Sequence, residues 1–165
     1  AFKEVNTPEF QLYAKQIIDN AQAFAEQLLK RGVTLFTGGT DNHLVVFDVA
    51  SSFTLTGRQA ELALLQARMT VNRNMIPFDQ NGPWYTSGVR VGTPALTTLG
   101  MKEDQMRQIA DLMVDLLKAT KPARLKSNGK LSKVKVEIDA RVMERIKNQV
   151  GELLALFPLY PELEL

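Results

Sequence analysis

Arg90 stands in the run Thr86-Ser87-Gly88-Val89-Arg90-Val91-Gly92-Thr93-Pro94-Ala95, an alternating, strand-like stretch with a glycine two positions to either side. A guanidinium held on a strand presents a planar fork of donors that can bond both oxygens of a carboxylate at once. Glycines within a strand let another group approach closely, and Thr93-Pro94 then turns the chain away. An arginine so placed can equally be a surface charge or a structural ion-pair partner. A second candidate is Asn72-Arg73-Asn74-Met75-Ile76-Pro77. Its carboxamides could meet the amide-like edge of a heterocycle through a paired donor and acceptor, although asparagines are as common in turns. His43, the only histidine, follows Gly38-Gly39-Thr40-Asp41-Asn42. One histidine cannot make a triad or a metal site without partners, and no cysteine is present to help; a hydrogen-bonded strand entry stands against a catalytic role. The glycines match neither a Walker loop nor a dinucleotide fingerprint.

The elements that would position these residues are legible from spacing. Thr7-Pro8-Glu9 opens a helix, with threonine as cap, proline in the first turn and glutamate at the positive end. Phe10, Tyr13, Ile17, Ala21, Phe24 and Leu28 recur every three or four residues, and Gly32 follows Lys30 and Arg31 as the stop. So rich a face predicts packing on something larger than the rest of the chain. Residues 33–36 read as a short strand, and 44–49 as a strand covered on both faces. Thr56-Gly57-Arg58-Gln59 matches a capping box, with Ala60, Ala63, Leu64 and Ala67 inward. Residues 69–71 read as another strand and 72–85 as a polar loop punctuated by Pro77, Gly82 and Pro83. A third helix is predicted over 102–119, with Met106, Ile109, Ala110, Met113, Leu116 and Leu117 on one face. Asp139 caps a last helix faced by Val142, Ile146, Val150, Leu153 and Phe157, which Pro158 and Pro161 end. No internal repeat is visible. Helices alternating with a few short strands predict an α+β fold, a small α/β layer.

The 165 residues suffice for one domain with a real core, and apolar (45%) and charged (23%) fractions are those of an ordinary globular chain. The net charge of +2 is too mild to suggest nucleic acid or a membrane surface. Lys121, Arg124, Lys126, Lys130, Lys133 and Lys135 are interspersed with Pro122, Ser127-Asn128-Gly129 and Ser132. This stretch lacks the interleaved aromatics of a nucleic-acid platform and reads as a solvated linker. The absence of cysteine excludes thiol chemistry and suits a cytoplasmic location. No apolar run approaches a membrane span. The opening Ala1-Phe2-Lys3-Glu4 has neither initiator methionine nor signal-peptide character, which suggests part of a longer chain.

Taken together, Gly38-Gly39-Thr40-Asp41-Asn42-His43-Leu44, Leu55-Thr56-Gly57, Thr70-Val71-Asn72-Arg73-Asn74 and the run around Arg90 resemble serine hydroxymethyltransferase, in that family's order and spacing. The resemblance covers about residues 8–118 closely and the final helix more loosely. It implies the C-terminal small domain of an aminotransferase-like (fold-type I) pyridoxal-phosphate enzyme, with a mostly antiparallel sheet packed on helices. Such enzymes interconvert serine and glycine, passing one carbon to tetrahydrofolate. The resemblance further implies that Arg90 binds the substrate carboxylate and Asn74 the folate pterin. Gly82-Pro83-Trp84 falls where the family usually has Ser-Pro-Phe, a segment that also borders folate. The family's cofactor-bearing lysine segment, the aspartate facing the pyridine nitrogen and the phosphate cup are not in this sequence. The implied division is a connecting helix over 1–32, a small domain over 33–118, a basic linker or insertion over 119–137, and a terminal helix and tail over 138–165. The chain alone is then expected to be inactive, with the active enzyme a homodimer or tetramer. Two other readings stay open at this point: a non-catalytic module binding an amino acid or folate, and the C-terminal domain of another pyridoxal-phosphate enzyme such as an aminotransferase.

Overall fold

A computed structural model describes residues 2–159. A single turn, α1 (Phe2–Val5), leads into the long α2 (Pro8–Lys30). Then come β1 (Leu44–Asp48), the short α3 (Val49–Phe53), α4 (Gly57–Gln66) and β2 (Asn72–Asn74). The turn α5 (Gly82–Tyr85) precedes β3 (Gly88–Gly92), α6 (Pro94–Thr98) and α7 (Glu103–Lys118). A hairpin of β4 (Thr120–Arg124) and β5 (Leu131–Ile138) connects to α8 (Ala140–Ala155).

The predicted caps form as the side chains require. The Thr7 hydroxyl accepts from the Phe10 amide at 3.3 Å, an N-cap worth about 1 kcal/mol. Thr56 and Gln59 close a reciprocal capping box at the start of α4. Asp139 accepts from the amides of Arg141 and Val142 at 2.9 and 3.1 Å. Pro158 follows α8, whereas Pro161 lies outside the described residues.

The apolar face of α2 is covered inside this chain, against the expectation that it needed a larger partner. Ala21, Phe24 and Leu28 are buried and Phe10, Tyr13 and Ile17 half-buried, because α2 packs along α7 and α6. Full burial of Phe24 or Leu28 contributes roughly 1.5–3 kcal/mol each. Polar groups fix the register. Asn20, fully buried, donates to Thr97 Oγ1 at 2.8 Å and to the Met101 carbonyl at 3.0 Å. Thr93 Oγ1 donates to the Ile17 carbonyl at 2.8 Å. At the other end, Arg31 bonds Asp111 and Asp115 of α7, and Asp115 also meets Arg145 of α8. Burial raises the Asp115 pKa, but the two guanidiniums outweigh it and hold the carboxyl below its usual range. The α2 residues left exposed are others, chiefly Leu12.

The main sheet runs β1-β3-β2, wholly antiparallel, so Arg90 is on its central strand. Three strand expectations change. Over 33–36 only a single bridge forms, Leu35 to Phe47, because the Gly38 turn ends the pairing. The strand predicted at 69–71 lies instead at Asn72–Asn74, inside the stretch read as loop. Pairing with β3 overrides the low strand propensity of asparagine at this sheet edge. β1 alternates rather than being buried on both faces: Val45 and Phe47 are buried, Leu44 and Val46 half-buried.

Residues 119–137, expected as a basic linker or insertion, hold most of an ordered hairpin rather than solvated coil. Its β5 backbone docks on the start of α4. The buried Gln59 donates Nε2 to the Ser132 carbonyl at 2.7 Å and the Lys135 carbonyl at 3.3 Å. Thr56 Oγ1 donates to the Lys133 carbonyl at 2.8 Å. Ser132, Val134, Val136 and Ile138 alternate with the exposed Lys133, Lys135 and Glu137. The lysines are therefore one face of a strand. In the hairpin register Lys121 lies opposite Glu137.

Candidate functional site

Sheet register decides which side chains share a face. Arg90 lies opposite Val46 of β1 and Asn72 of β2, while Gly88 lies opposite Asp48 and Asn74, and Gly92 opposite Leu44. Directly paired residues point the same way. One face therefore carries Arg90, Asn72 and Asn74 together. Val45, Phe47 and Val89, on the other face, are buried in the core. Gly88 and Gly92 contribute no side chain to the Arg90 face, so on β3 the guanidinium stands alone. It is exposed, and among the described residues it has neither a hydrogen bond nor an ion pair. By contrast, Arg31, Arg73, Arg107 and Arg145 are all held by carboxylates.

The glycines have a more local cause than ligand approach. A Cβ at Gly88 would sit 2.7 Å from the Ile76 Cγ2 and 2.9 Å from the Asn74 carbonyl oxygen. At Gly92 it would meet Leu44 at 3.3 Å. The bare backbone of Gly88 thus lets the chain after β2 fold back tightly against β3.

Asn74 is half-buried, and its Nδ2 donates to the Met75 carbonyl at 2.6 Å. Its Oδ1 is left as an acceptor. Asn74 shares a cleft of about 550 Å³ with the Gly38-Gly39-Thr40-Asp41-Asn42 turn and with Val46. That turn is braced internally: Thr40 Oγ1 donates to the Leu44 carbonyl at 2.6 Å, and Asn42 Oδ1 accepts from the Leu44 amide at 2.8 Å. His43 is the strand entry that one sequence reading allowed. It is exposed, its carbonyl accepts from the Thr93 amide at 3.2 Å, and its ring has no hydrogen bond among the described residues.

Gly82, Pro83 and Trp84 form the turn α5. Gly82 has φ +69°, a left-handed conformation that glycine takes without strain. The Trp84 indole lies 5.2 Å from the Arg58 guanidinium and 5.8 Å from that of Arg73, each distance taken to the ring centroid. Arg73 pairs in register with Val89, so its side chain leaves β2 on the α4 side, where it bonds Glu61 at 2.6 Å. The structure thus brings Arg90 and Asn74 onto one face and seats the indole by α4 instead.

Asp79 is a residue that sequence reasoning missed. Its carboxylate accepts from the Ile76 amide (3.2 Å), the Asn81 amide (2.8 Å), the Ser87 amide (2.8 Å) and Ser87 Oγ (2.6 Å). Partial burial raises its pKa, but these four donors outweigh it and hold the carboxyl below its ordinary range. A Pro-Phe-Asp-Gln turn gave one signal, since aspartate accepts from amides a few residues on. The bond to Ser87 was not readable locally.

Among the described residues, no group of three or more His, Asp or Glu side chains could hold a metal ion. Nor is any helix long and apolar enough to cross a membrane. The serine hydroxymethyltransferase family model matches residues 1–113. The chain is 52% identical to a serine hydroxymethyltransferase of Cutibacterium acnes over all 165 residues, which is 33% of that protein. It is 50% identical to one from Mycolicibacterium smegmatis, again over its full length and 32% of the relative. A Treponema pallidum serine hydroxymethyltransferase is 49% identical over 99% of the chain and 28% of its own length. The chain therefore spans about a third of the length of these curated relatives, and their similarity runs through the hairpin and α8 as well. The chain belongs to the serine hydroxymethyltransferase family.

Proposed function

We propose that this chain is the C-terminal part of a pyridoxal-phosphate-dependent enzyme that reversibly converts serine and tetrahydrofolate to glycine and 5,10-methylenetetrahydrofolate. The observation that carries the reading is Arg90, exposed and without a partner among the described residues, with Asn74 on the same sheet face. Arg90 binds the carboxylate of serine or glycine as a two-pronged donor on a backbone fixed from both sides. Asn74 accepts from an N–H of the pterin through its free Oδ1, its Nδ2 being held by Met75. The Gly82-Pro83-Trp84 turn borders the folate with its backbone, since the indole is engaged by Arg58 and Arg73. A cytoplasmic homodimer or tetramer completes the reading.

The residues of this site do not supply an anchor for the cofactor. No lysine occurs between Lys30 and Lys102, so none stands on β1, β2 or β3 or on the loops joining them. No catalytic residue of the cofactor chemistry is assigned to this chain; its part is to bind and orient the amino acid and the folate. When bound, pyridoxal phosphate supplies an electron sink for bonds at the amino acid's α-carbon. The test is glycine formation from serine by the full-length protein, expected to require both pyridoxal phosphate and tetrahydrofolate. Serine turnover indifferent to folate, or amino-group transfer to a keto acid, would contradict it. The chain alone, mixed with pyridoxal phosphate, should develop no stable absorbance band of a bound cofactor.

A further inference from the structure

We infer that Asp79 is a positioning residue that sets where the folate-binding asparagine sits relative to the carboxylate-binding arginine, by clamping both ends of the 75–87 loop; this rests on the function proposed above. The clamp has a clear logic. Asp79 Oδ2 takes the Ile76 amide, two residues after Asn74, and the Ser87 amide, three residues before Arg90. Oδ1 takes Ser87 Oγ and the Asn81 amide. Asn81 Nδ2 closes a triangle by donating to Ser87 Oγ at 3.0 Å. The Ser87 carbonyl in turn accepts from the amides of Val49 and Ala50, tying the loop to the end of β1. One carboxylate therefore gathers the exit of β2 and the entry of β3, and an acceptor-only group is what four converging donors require.

The two functional residues do not depend on this clamp equally. Arg90 is central in β3, paired on one side with β1 and on the other with β2. Asn74 is the last residue of a three-residue edge strand, followed at once by the loop. Loosening the loop should therefore move Asn74 and leave Arg90 in place. Asp79→Asn keeps the shape but turns one oxygen into an NH2 donor, which faces amide or hydroxyl donors whichever way it is flipped. Ser87→Ala removes only the hydroxyl arm, and Ser87→Thr retains it.

The test uses the full-length protein with cofactor. In Asp79→Asn, amide hydrogen exchange over 76–87 should accelerate. Tetrahydrofolate binding should weaken about tenfold or more, the loss of charge-assisted hydrogen bonds, while serine binding changes less than about twofold. Ser87→Ala should show the same selectivity to a smaller degree, with Ser87→Thr near wild type. Equal weakening of both ligands, with a drop in melting temperature to match, would reduce Asp79 to general structure and overturn the inference. So would unchanged exchange or unchanged folate affinity. If the wild-type protein binds neither serine nor folate, the proposed function fails, and the exchange result then reports separately on the clamp.

Discussion

At the scale of single residues, space and donor count explain the site better than charge alone. Gly88 exists because Ile76 and the Asn74 carbonyl occupy the volume a side chain would need. Gly88→Ala should therefore destabilise the fold by about 1–3 kcal/mol, the range for forcing extra volume into a packed site, measured by urea unfolding. Its damage should spread to Asn74, the neighbour it pushes. Arg90 is the opposite case. It is exposed and, among the described residues, unpaired, so Arg90→Ala should change unfolding free energy by no more than about 0.5 kcal/mol, as for an ordinary surface residue. Arg90 and Asn74 could be singled out from sequence by resemblance, because their motifs are contiguous. Asp79 could not, because its meaning lies in Ser87, eight residues away and brought back only by the folded loop.

At the scale of elements, local signals were legible and pairings were not. Thr7, Thr56 and Asp139 cap the helices they were expected to cap, since a cap is decided within four residues. β2 is not legible locally, because Asn72-Arg73-Asn74 has turn chemistry and becomes a strand only by pairing with β3. In the 119–137 stretch the lysines mask an alternation, Ser132-Lys133-Val134-Lys135-Val136-Glu137-Ile138, that is the ordinary pattern of a half-buried strand. What anchors that hairpin is Gln59, buried with 1% exposure beneath it. Gln59→Leu would leave the Ser132 carbonyl and the Thr56 amide without their partners. The expected cost is about 2–4 kcal/mol, from two buried polar groups each losing a hydrogen bond. Faster amide exchange confined to 120–138 and the start of α4 would mark the loss as local.

At the scale of the whole molecule, α2, α7 and α8 are joined at one end by Arg31, Asp111, Asp115 and Arg145. Asp115 titrates below its ordinary range when folded, so its contribution is fully present above the unfolded carboxylate pKa. That contribution disappears as pH falls through the depressed folded value. Asp115→Asn should therefore be less stable than the parent at neutral pH, and the gap should close in acid. Melting temperatures of both proteins followed from pH 7 downward check this; a gap independent of pH would contradict it. The sheet buries Val45, Phe47 and Val89 on one side and carries Arg90 on the other. The proposed function rests on this arginine holding the amino-acid carboxylate by its fork. The most direct measurement is the serine dissociation constant of the full-length protein with Arg90→Lys beside Arg90→Ala. Both variants are predicted to fold normally and to lose about 2–5 kcal/mol of serine binding, because an ammonium cannot reproduce the two parallel hydrogen bonds. Normal serine affinity in either variant would contradict the account.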